Sequence, residues 1–464
     1  KGKQALTRWE AAALLNACLD RITEVTDELK KLMKEFQKEL AVLRGRVDGL
    51  EAKVGELEAN QFSTTTKLKG YAAFVVGANA YGGTNGFLKD LNSAAQGGTT
   101  FNYDVRLDLD TSFTGKDLFR TRLRAGNFGA SAFSGSTVPF GVGLGALETA
   151  FQENNGGVSK PNVVEINRLF YQFPVGSSFT ATVGGRVRQD DMLAVWPSAY
   201  PADTVLDIFT YAGAPGAYSL TLGSGAGLWW KSGGFSVSGN YVAVNGNVSN
   251  PSLGGIGTSG SVQSSTAQVA YSGNNWALAV AYTYGTNGAG LYSGNGTPTA
   301  FTANSLSKAT NSVGISGYWS PSKSGWVPSI SAGWGINGYS SANNIAAGAS
   351  LNGTQSQSWF TGFQWTDVLI KGNAAGFAVG QATFITKQPN SLGGTPNDGN
   401  YAWEWWYKFQ VTDNISVTPA IFYLSQPLGV LGKGGSSAAV VGGGGTGFTS
   451  VNNFGGLVKT TFRF

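Results

Sequence analysis

The sequence predicts an all-β transmembrane barrel of about 16 antiparallel strands, preceded by an α-helical coiled coil. Three observations carry that prediction. The chain has 464 residues, 68 of them Gly, and is 12% aromatic but only 13% charged, against roughly a quarter charged in an average soluble protein. Hydrophobic side chains recur every seven positions up to Asn60 and every two positions after Phe62. No window approaches the roughly 18 uninterrupted apolar residues of a transmembrane helix. A crossing of lipid therefore calls for a closed barrel, in which strands satisfy every backbone polar group.

The heptad region comes first. Leu19, Thr26, Met33, Leu40, Val47 and Val54 occupy one core position, and Ile22, Leu29, Phe36, Leu43, Leu50 and Leu57 occupy the other. The stripe implies roughly 58 Å of helix at 1.5 Å per residue. With Glu and Lys flanking it, the pattern predicts a coiled coil over 19–60. Val and Leu at these positions favour two strands in an isolated parallel coil. The single cysteine, Cys18, has no partner for an internal disulfide and reads as a small apolar helix residue. The start at Lys1 reads as a mature or trimmed end.

The barrel is expected over 61–464. In 103–113, Tyr103, Val105, Leu107, Leu109, Thr111 and Phe113 form one face, while Asn102, Asp104, Arg106, Asp108 and Asp110 form the other. Such alternation, repeated without a helix or second sheet to cover it, suits lipid outside and water inside. Sixteen segments follow the pattern, at about 66–77, 101–113, 118–126, 164–173, 178–188, 225–231, 234–244, 263–271, 275–284, 310–318, 327–334, 357–364, 375–383, 401–410, 415–422 and 452–464. Short turns alternate with long Gly-, Asn- and Ser-rich connections such as 78–100, 127–163, 189–224 and 423–451. Outer-membrane barrels have this asymmetry, with short periplasmic turns and longer external loops. It places both barrel ends, and the coiled coil, in the periplasm. Aromatic clusters at Trp229–Trp230, Trp319, Trp326 and Trp403–Tyr407 are expected in the interfacial girdles.

Charge concentrates in one sector. Arg106, Arg120, Arg122, Arg124, Arg168, Arg186 and Arg188 fall on water-facing positions of neighbouring strands, together with Asp108 and Asp110. If the turn near Gly115 has an odd length, as a three-residue turn with left-handed Gly would, Asp108 and Asp110 face members of the Arg120, Arg122 and Arg124 set. Arg168, Arg186 and Arg188 have fewer acidic neighbours in the sequence. The expectation is residual positive potential on that wall and a mild preference for anions; the alternative is that arginines and acids cancel and brace the wall. The segment 189–207, with Asp190, Asp191, Trp196, Asp203 and Asp207, is the candidate for a loop that folds inward and narrows the pore.

The stretch from Ala5 to Arg21, ALTRWEAAALLNACLDR, resembles the tail of an S-layer-homology module, and the resemblance implies that residues 1–18 are a remnant of such a module. Leu43-Arg-Gly-Arg-Val-Asp-Gly-Leu-Glu-Ala and Leu57-Glu-Ala-Asn-Gln-Phe-Ser-Thr-Thr-Thr-Lys-Leu resemble the junction in cyanobacterial outer-membrane porins of the carbohydrate-selective family, some of them assigned to iron uptake. The resemblance implies a homotrimer in outer-membrane lipid, with helices 19–57 packed through Leu29, Met33, Phe36, Leu40, Leu43, Val47, Leu50, Val54 and Leu57. It also implies a periplasmic module that holds peptidoglycan-linked polysaccharide, here mostly missing before Lys1.

Enzymatic function is not expected. The chain has no His, which removes His-based triads and His/Cys metal sites; no catalytic residue, metal or cofactor is assigned. A net charge of +5 spread over the whole chain gives no nucleic-acid footprint. Gly141-Val-Gly143-Leu-Gly145 lacks the βαβ frame of a phosphate-binding loop. The expected function is passive diffusion of inorganic ions and small hydrophilic solutes through a channel tethered to the cell wall. The alternative is a structural tether between outer membrane and peptidoglycan with an incidental pore.

Overall fold

The structure, a computed structural model, describes residues 10, 14, 27–60, 65–135, 141–155, 158–202, 205–292, 294–323, 325–340, 351–388, 396–433 and 449–464. It divides into two compact units, 1–66 and 67–464.

The first unit contains α1 (Asp27–Glu35) and α2 (Gln37–Asn60). The heptad stripe predicts one uninterrupted helix, but a turn at Phe36 separates the two. Val47 and Leu50 are 47% and 61% exposed in the single chain, so their burial requires a partner helix. The side chains of Leu29, Met33, Leu40, Val54 and Leu57 lie outside the described residues, as do residues 19–26.

The second unit is a closed barrel of sixteen strands. In chain order these are β1 (Thr66–Gly82), β2 (Thr100–Thr111) and β3 (Leu118–Gly126), then β6 (Glu165–Val175), β7 (Phe179–Arg188), β8 (Leu222–Ser232), β9 (Phe235–Ala243), β10 (Gln263–Ser272), β11 (Trp276–Thr286) and β12 (Ala309–Trp319). The remainder are β13 (Ser329–Tyr339), β14 (Gln355–Thr366), β15 (Ala374–Lys387), β16 (Tyr401–Thr412), β17 (Ile415–Ser425) and β18 (Asn452–Arg463). Every strand is predicted by the alternation. β4 (Glu153–Asn155) and β5 (Val158–Lys160) form a separate hairpin in a long connection. Neighbours pair antiparallel, and β1 meets β18, with Tyr71 opposite Arg463, to close the ring.

β11 shows why the segments alternate. Trp276, Leu278, Val280 and Tyr282 face outward at 42–50% exposure, while Ala277, Ala279, Ala281 and Thr283 face inward at 2% or less. Large apolar side chains outside solvate the wall in lipid; small ones inside leave room for something else. Trp319, Trp326 and Trp405 are outward and exposed, but Trp406 is buried at 6%. Inward pointing of Trp406 follows from its place between outward Trp405 and Tyr407, and corrects its assignment to the girdle.

Two helices lie in the long connections. α3 (Gly86–Gln96) starts where the Asn85 side chain accepts from Leu88 N, a standard N-cap that satisfies an orphan donor. α4 (Pro298–Leu306) starts on Thr297, with Pro at its first position. Gly141–Gly145 forms a buried turn containing a single 3₁₀ element at Gly143–Gly145.

Candidate functional site

The β2–β3 register pairs Arg106 with Arg124, Asp108 with Arg122 and Asp110 with Arg120. It is centred on Gly115, whose φ of +77° is the left-handed value that Gly adopts without a Cβ clash. The Asp117 carboxylate closes the turn by accepting from Phe113 N, Thr114 N and the Ser112 hydroxyl at 2.7–3.0 Å. An odd turn thus puts acids and arginines on the same face. Arg120 reaches both oxygens of Asp110 at 2.7 and 2.9 Å, and Arg122 both of Asp108 at 2.7 and 2.8 Å. Arg124 makes the same fork to Asp104 at 2.7 and 2.9 Å. Arg106 divides between Asp104 at 2.7 Å and Glu148 at 3.1 Å. Fork-to-carboxylate pairs of this kind fix orientation as well as charge.

The ladder continues onto β6 and β7, where the expectation fails. Arg168 and Arg188 are not short of acidic neighbours. Arg168 donates to Asp191 at 2.7 Å, and Arg188 to both oxygens of Asp190 at 2.5 Å. The acids follow β7 directly, and the 3₁₀ turn Gln189–Met192 folds them back onto the strand ends. Arg186 leaves the row altogether. A bulge between Gly184 and Val187 sets it opposite Leu169, one step off the row of Phe170 and Gly184. Bulges re-aim side chains in this way, and the Arg186 guanidinium is left 3.4 Å from Glu165.

The chain after Arg188 crosses the barrel interior. Gln189 donates to Thr266 Oγ1 and to Ala217 O, and Ala194 N donates to Ser238 on β9 at 2.9 Å. Ala199 N and Tyr200 N both reach Ser331 on β13. The far anchor is Glu404 on β16: it accepts the Tyr200 hydroxyl at 2.6 Å on one oxygen and Leu206 N at 2.7 Å on the other. Trp406 Nε1 donates to the same Tyr200 hydroxyl at 2.8 Å. The return leg passes Ser358, Ser316 and Thr283, whose hydroxyls donate to the carbonyls of Gly213, Ala212 and Ala217.

This crossing explains the charge-poor sector between Phe209 and Asn400. Its luminal Gly, Ala, Ser and Thr form the socket for the loop. At Gly333 the Ala212 carbonyl approaches so closely that any Cβ would collide with it. A second connection packs on β17, the strand next to β16. Phe133 sits edge-to-face on Phe422 of β17 at 6.3 Å, and Glu148 N and Asp207 N exchange hydrogen bonds with Val205 O and Ala146 O at 3.0 Å. The two inward segments thereby join at the Leu147–Leu206 bridge.

Between the ladder and the loop lies a cavity of about 570 Å³, bordered by Arg124, Arg168 and Arg188 on one side and Trp196, Asp207 and Tyr211 on the other. Trp196 is held edge-to-face on Tyr218 at 5.2 Å. Arg186 does not border this cavity, and Asp203 lies outside the described residues. Burial pushes the Asp207 carboxyl up to about 7; the bond from Tyr211 opposes the rise and the Glu148 charge adds to it. Where β1 begins and β18 ends, a second recess of about 530 Å³ is bordered by Arg106, Asp108 and Arg122 with Lys69, Arg463 and Phe464. Among the described residues no cluster could hold a metal ion. Asp207 is among the residues that the sequence assigns to the inward loop, whereas Glu404 and Glu148 escaped the sequence reading, because nothing local distinguishes a loop acid or an inward strand acid that meets its partner across the barrel.

Residues 24–449 match the carbohydrate-selective porin, OprB family. The chain is 33% identical over 473 residues to the uncharacterized protein alr4550 of Nostoc sp., a match covering 92% of this chain and 75% of that one. It is 31% identical over 455 residues to the uncharacterized protein sll0772 of Synechocystis sp., covering 91% and 78%. Among solved structures it is similar to the high-pH structure of Pseudomonas putida OprB, with a TM-score of 0.51 and 12% identity over 88% of this chain and 96% of that one. That likeness concerns the fold.

Proposed function

We infer that this chain, which belongs to the carbohydrate-selective porin, OprB family and is a bacterial outer-membrane barrel, is a passive channel for inorganic ions and small hydrophilic solutes. The observation that carries this reading is the single ladder shared by two recesses. Arg124, Arg168 and Arg188 border the cavity on the long-loop side, and Arg106 and Arg122 border the recess where β1 begins and β18 ends. A solute crossing the barrel would move along one row of fixed charge. Charge lining a narrow, low-dielectric passage sets selectivity.

The ladder is close to neutral by pairing, so its proposed role is to orient dipolar and hydroxylated solutes and to permit a mild anion preference. Asp190, Asp191 and Trp196 act on the loop side of the constriction. The proposed assembly is a homotrimer joined through the barrel wall and the helices of residues 19–57, with the N-terminus in the periplasm and a preceding module bound to peptidoglycan-linked polysaccharide. The exposed Val47 and Leu50 support a helical partner. The competing reading, a tether with an incidental pore, predicts no solute flux. Single-channel recording of the purified protein in planar bilayers decides: stepwise currents in potassium chloride are expected, and their absence at all voltages would leave the tether.

A further inference from the structure

We propose that the lipid face of β11–β14 holds one glycerophospholipid with an anionic headgroup, its acyl chain in a trough of the wall and its phosphate at two lysines of the short turns. The proposal needs only the outer-membrane barrel and stands whether or not the pore conducts. The trough follows from the register. Trp276, Trp319 and Ile330 form one outward row across the strands. Two positions further along, the outward row is Gly317, Ala332 and Thr361, and two further again it is Ile315, Trp334 and Trp359. Small side chains thus run between two rows of large ones, which stand roughly 14 Å apart at about 3.4 Å per residue. The recess measures about 920 Å³, and among the described residues no charged side chain borders it.

Tryptophan favours the level where lipid chains give way to headgroups. Trp276 and Trp319 stand at that end of their strands, and Trp326, in the turn after β12, is 96% exposed. The trough lies just inside this level and positive charge just outside it. Lys323 in the turn 320–328 and Lys371 in the turn 367–373 are both exposed. The two turns are neighbours at one end of the barrel, roughly 10 Å apart at twice the strand spacing. Trp365 Nε1 on β14 donates to Trp326 O at 2.9 Å, tying the first turn to the strand that leads into the second. Asp367, the one acid in these two turns, accepts from Gly372 N at 2.8 Å. Two cations against one acid leave net positive charge, which attracts anionic lipid at a membrane surface. Charge, tryptophan and apolar trough therefore follow one another in the order of headgroup, interface and chain. A second copy of this chain matches the lysines less well. Its own short turns expose Lys116, Lys231, Lys323 and Lys371 against Asp367 and Asp413.

The test titrates dioleoylphosphatidylglycerol into the whole protein in detergent, read by native mass spectrometry, with net-neutral dioleoylphosphatidylcholine as the comparison. The parent protein should take up one phosphatidylglycerol per barrel, saturably and at lower concentration than phosphatidylcholine. The double variant Lys323→Gln/Lys371→Gln should raise the half-saturating concentration of phosphatidylglycerol about tenfold and leave that of phosphatidylcholine unchanged. Both positions are exposed, so the fold is not at stake. Ala332→Phe, which fills the floor of the trough, should weaken both lipids. Lys231→Gln, at the end of β8 and away from the trough, should weaken neither. Equal uptake of the two lipids by the parent protein overturns the proposal, as does unchanged phosphatidylglycerol binding in the double variant. If Ala332→Phe instead disperses the oligomer and leaves lipid uptake intact, the trough is a contact between copies and the lipid assignment fails.

Discussion

Glu404 and Tyr200, 204 positions apart in sequence, share a 2.6 Å hydrogen bond inside the barrel. The second Glu404 oxygen takes Leu206 N at 2.7 Å, so one wall carboxylate holds both sides of the loop's turning point. Hydrogen bonds to a charged group contribute about 1.5–3 kcal/mol each. Glu404→Ala is therefore expected to release the loop tip while the barrel stays closed, raising single-channel conductance and opening the loop to protease. Parental conductance in this variant would show that the socket of small residues holds the loop unaided.

Arg168 is a brace as well as a lining residue. Its side chain is 3% exposed and bonded to Asp191 at 2.7 Å. Removing one partner of a buried pair costs about 3–5 kcal/mol. Arg168→Met should lower the temperature at which the folded barrel unfolds in detergent, measured by heat-modified migration on gels. A transition matching the parent protein would mean that solvent already screens the pair.

Asp207 gives the pore a pH dependence near neutrality. With its carboxyl raised to about 7, it is neutral in acid and gains a negative charge opposite the ladder as pH rises. The anion-over-cation permeability ratio should fall between pH 5 and pH 9, centred near pH 7, and Asp207→Asn should flatten the profile. The linkage has a definite sign. A folded-state value above the unfolded one stabilises the fold most in acid, and that contribution is lost as pH rises through about 7.

Topology can be read by labelling. Leu253, in a long connection, is 67% exposed, and Ile370, in a short turn, is 65% exposed. In a Cys18→Ala background, Leu253→Cys should react with an impermeant maleimide on intact cells and Ile370→Cys only after lysis. The reverse pattern would invert the barrel.

The assembly prediction is a homotrimer by native mass spectrometry in detergent. Leu50, at 61% exposure in the single chain, should matter most in the helical part. Leu50→Asp should weaken the trimer on dilution without disturbing the barrel. A parent protein that stays monomeric or dimeric at every concentration contradicts the proposal.

The strands were legible because each faces lipid with large apolar residues and the interior with small or polar ones. The pairing of Asp108 and Asp110 with arginines was legible for a related reason, since Gly115 fixes the parity of one short turn. The partners of Arg168 and Arg188 were not. Asp191 and Asp190 follow β7 in the sequence, and only the tight turn at Gln189–Met192 brings them back to the wall. Trp406 was misread because an aromatic cluster in sequence splits between two faces once the strand forms. The path of the inward loop was hidden most deeply. Its sockets, such as Ser331, Ser316 and Gly333, are ordinary residues whose significance lies in what crosses above them.

The seam between β1 and β18 carries a further consequence. It pairs Tyr71 with Arg463, nearly the whole barrel apart in sequence, and contacts of such separation are slow to form. Among the described residues of 67–464, those that cross the interior arise between those two strands. The chain reaching Glu404 must already be seated when the last hairpin meets the first, or else thread through an opening afterwards. Ring closure and loop seating are thus bound into one assembly problem, and a weak grip on the loop would surface as misassembled protein during biogenesis before it surfaced as a wider pore.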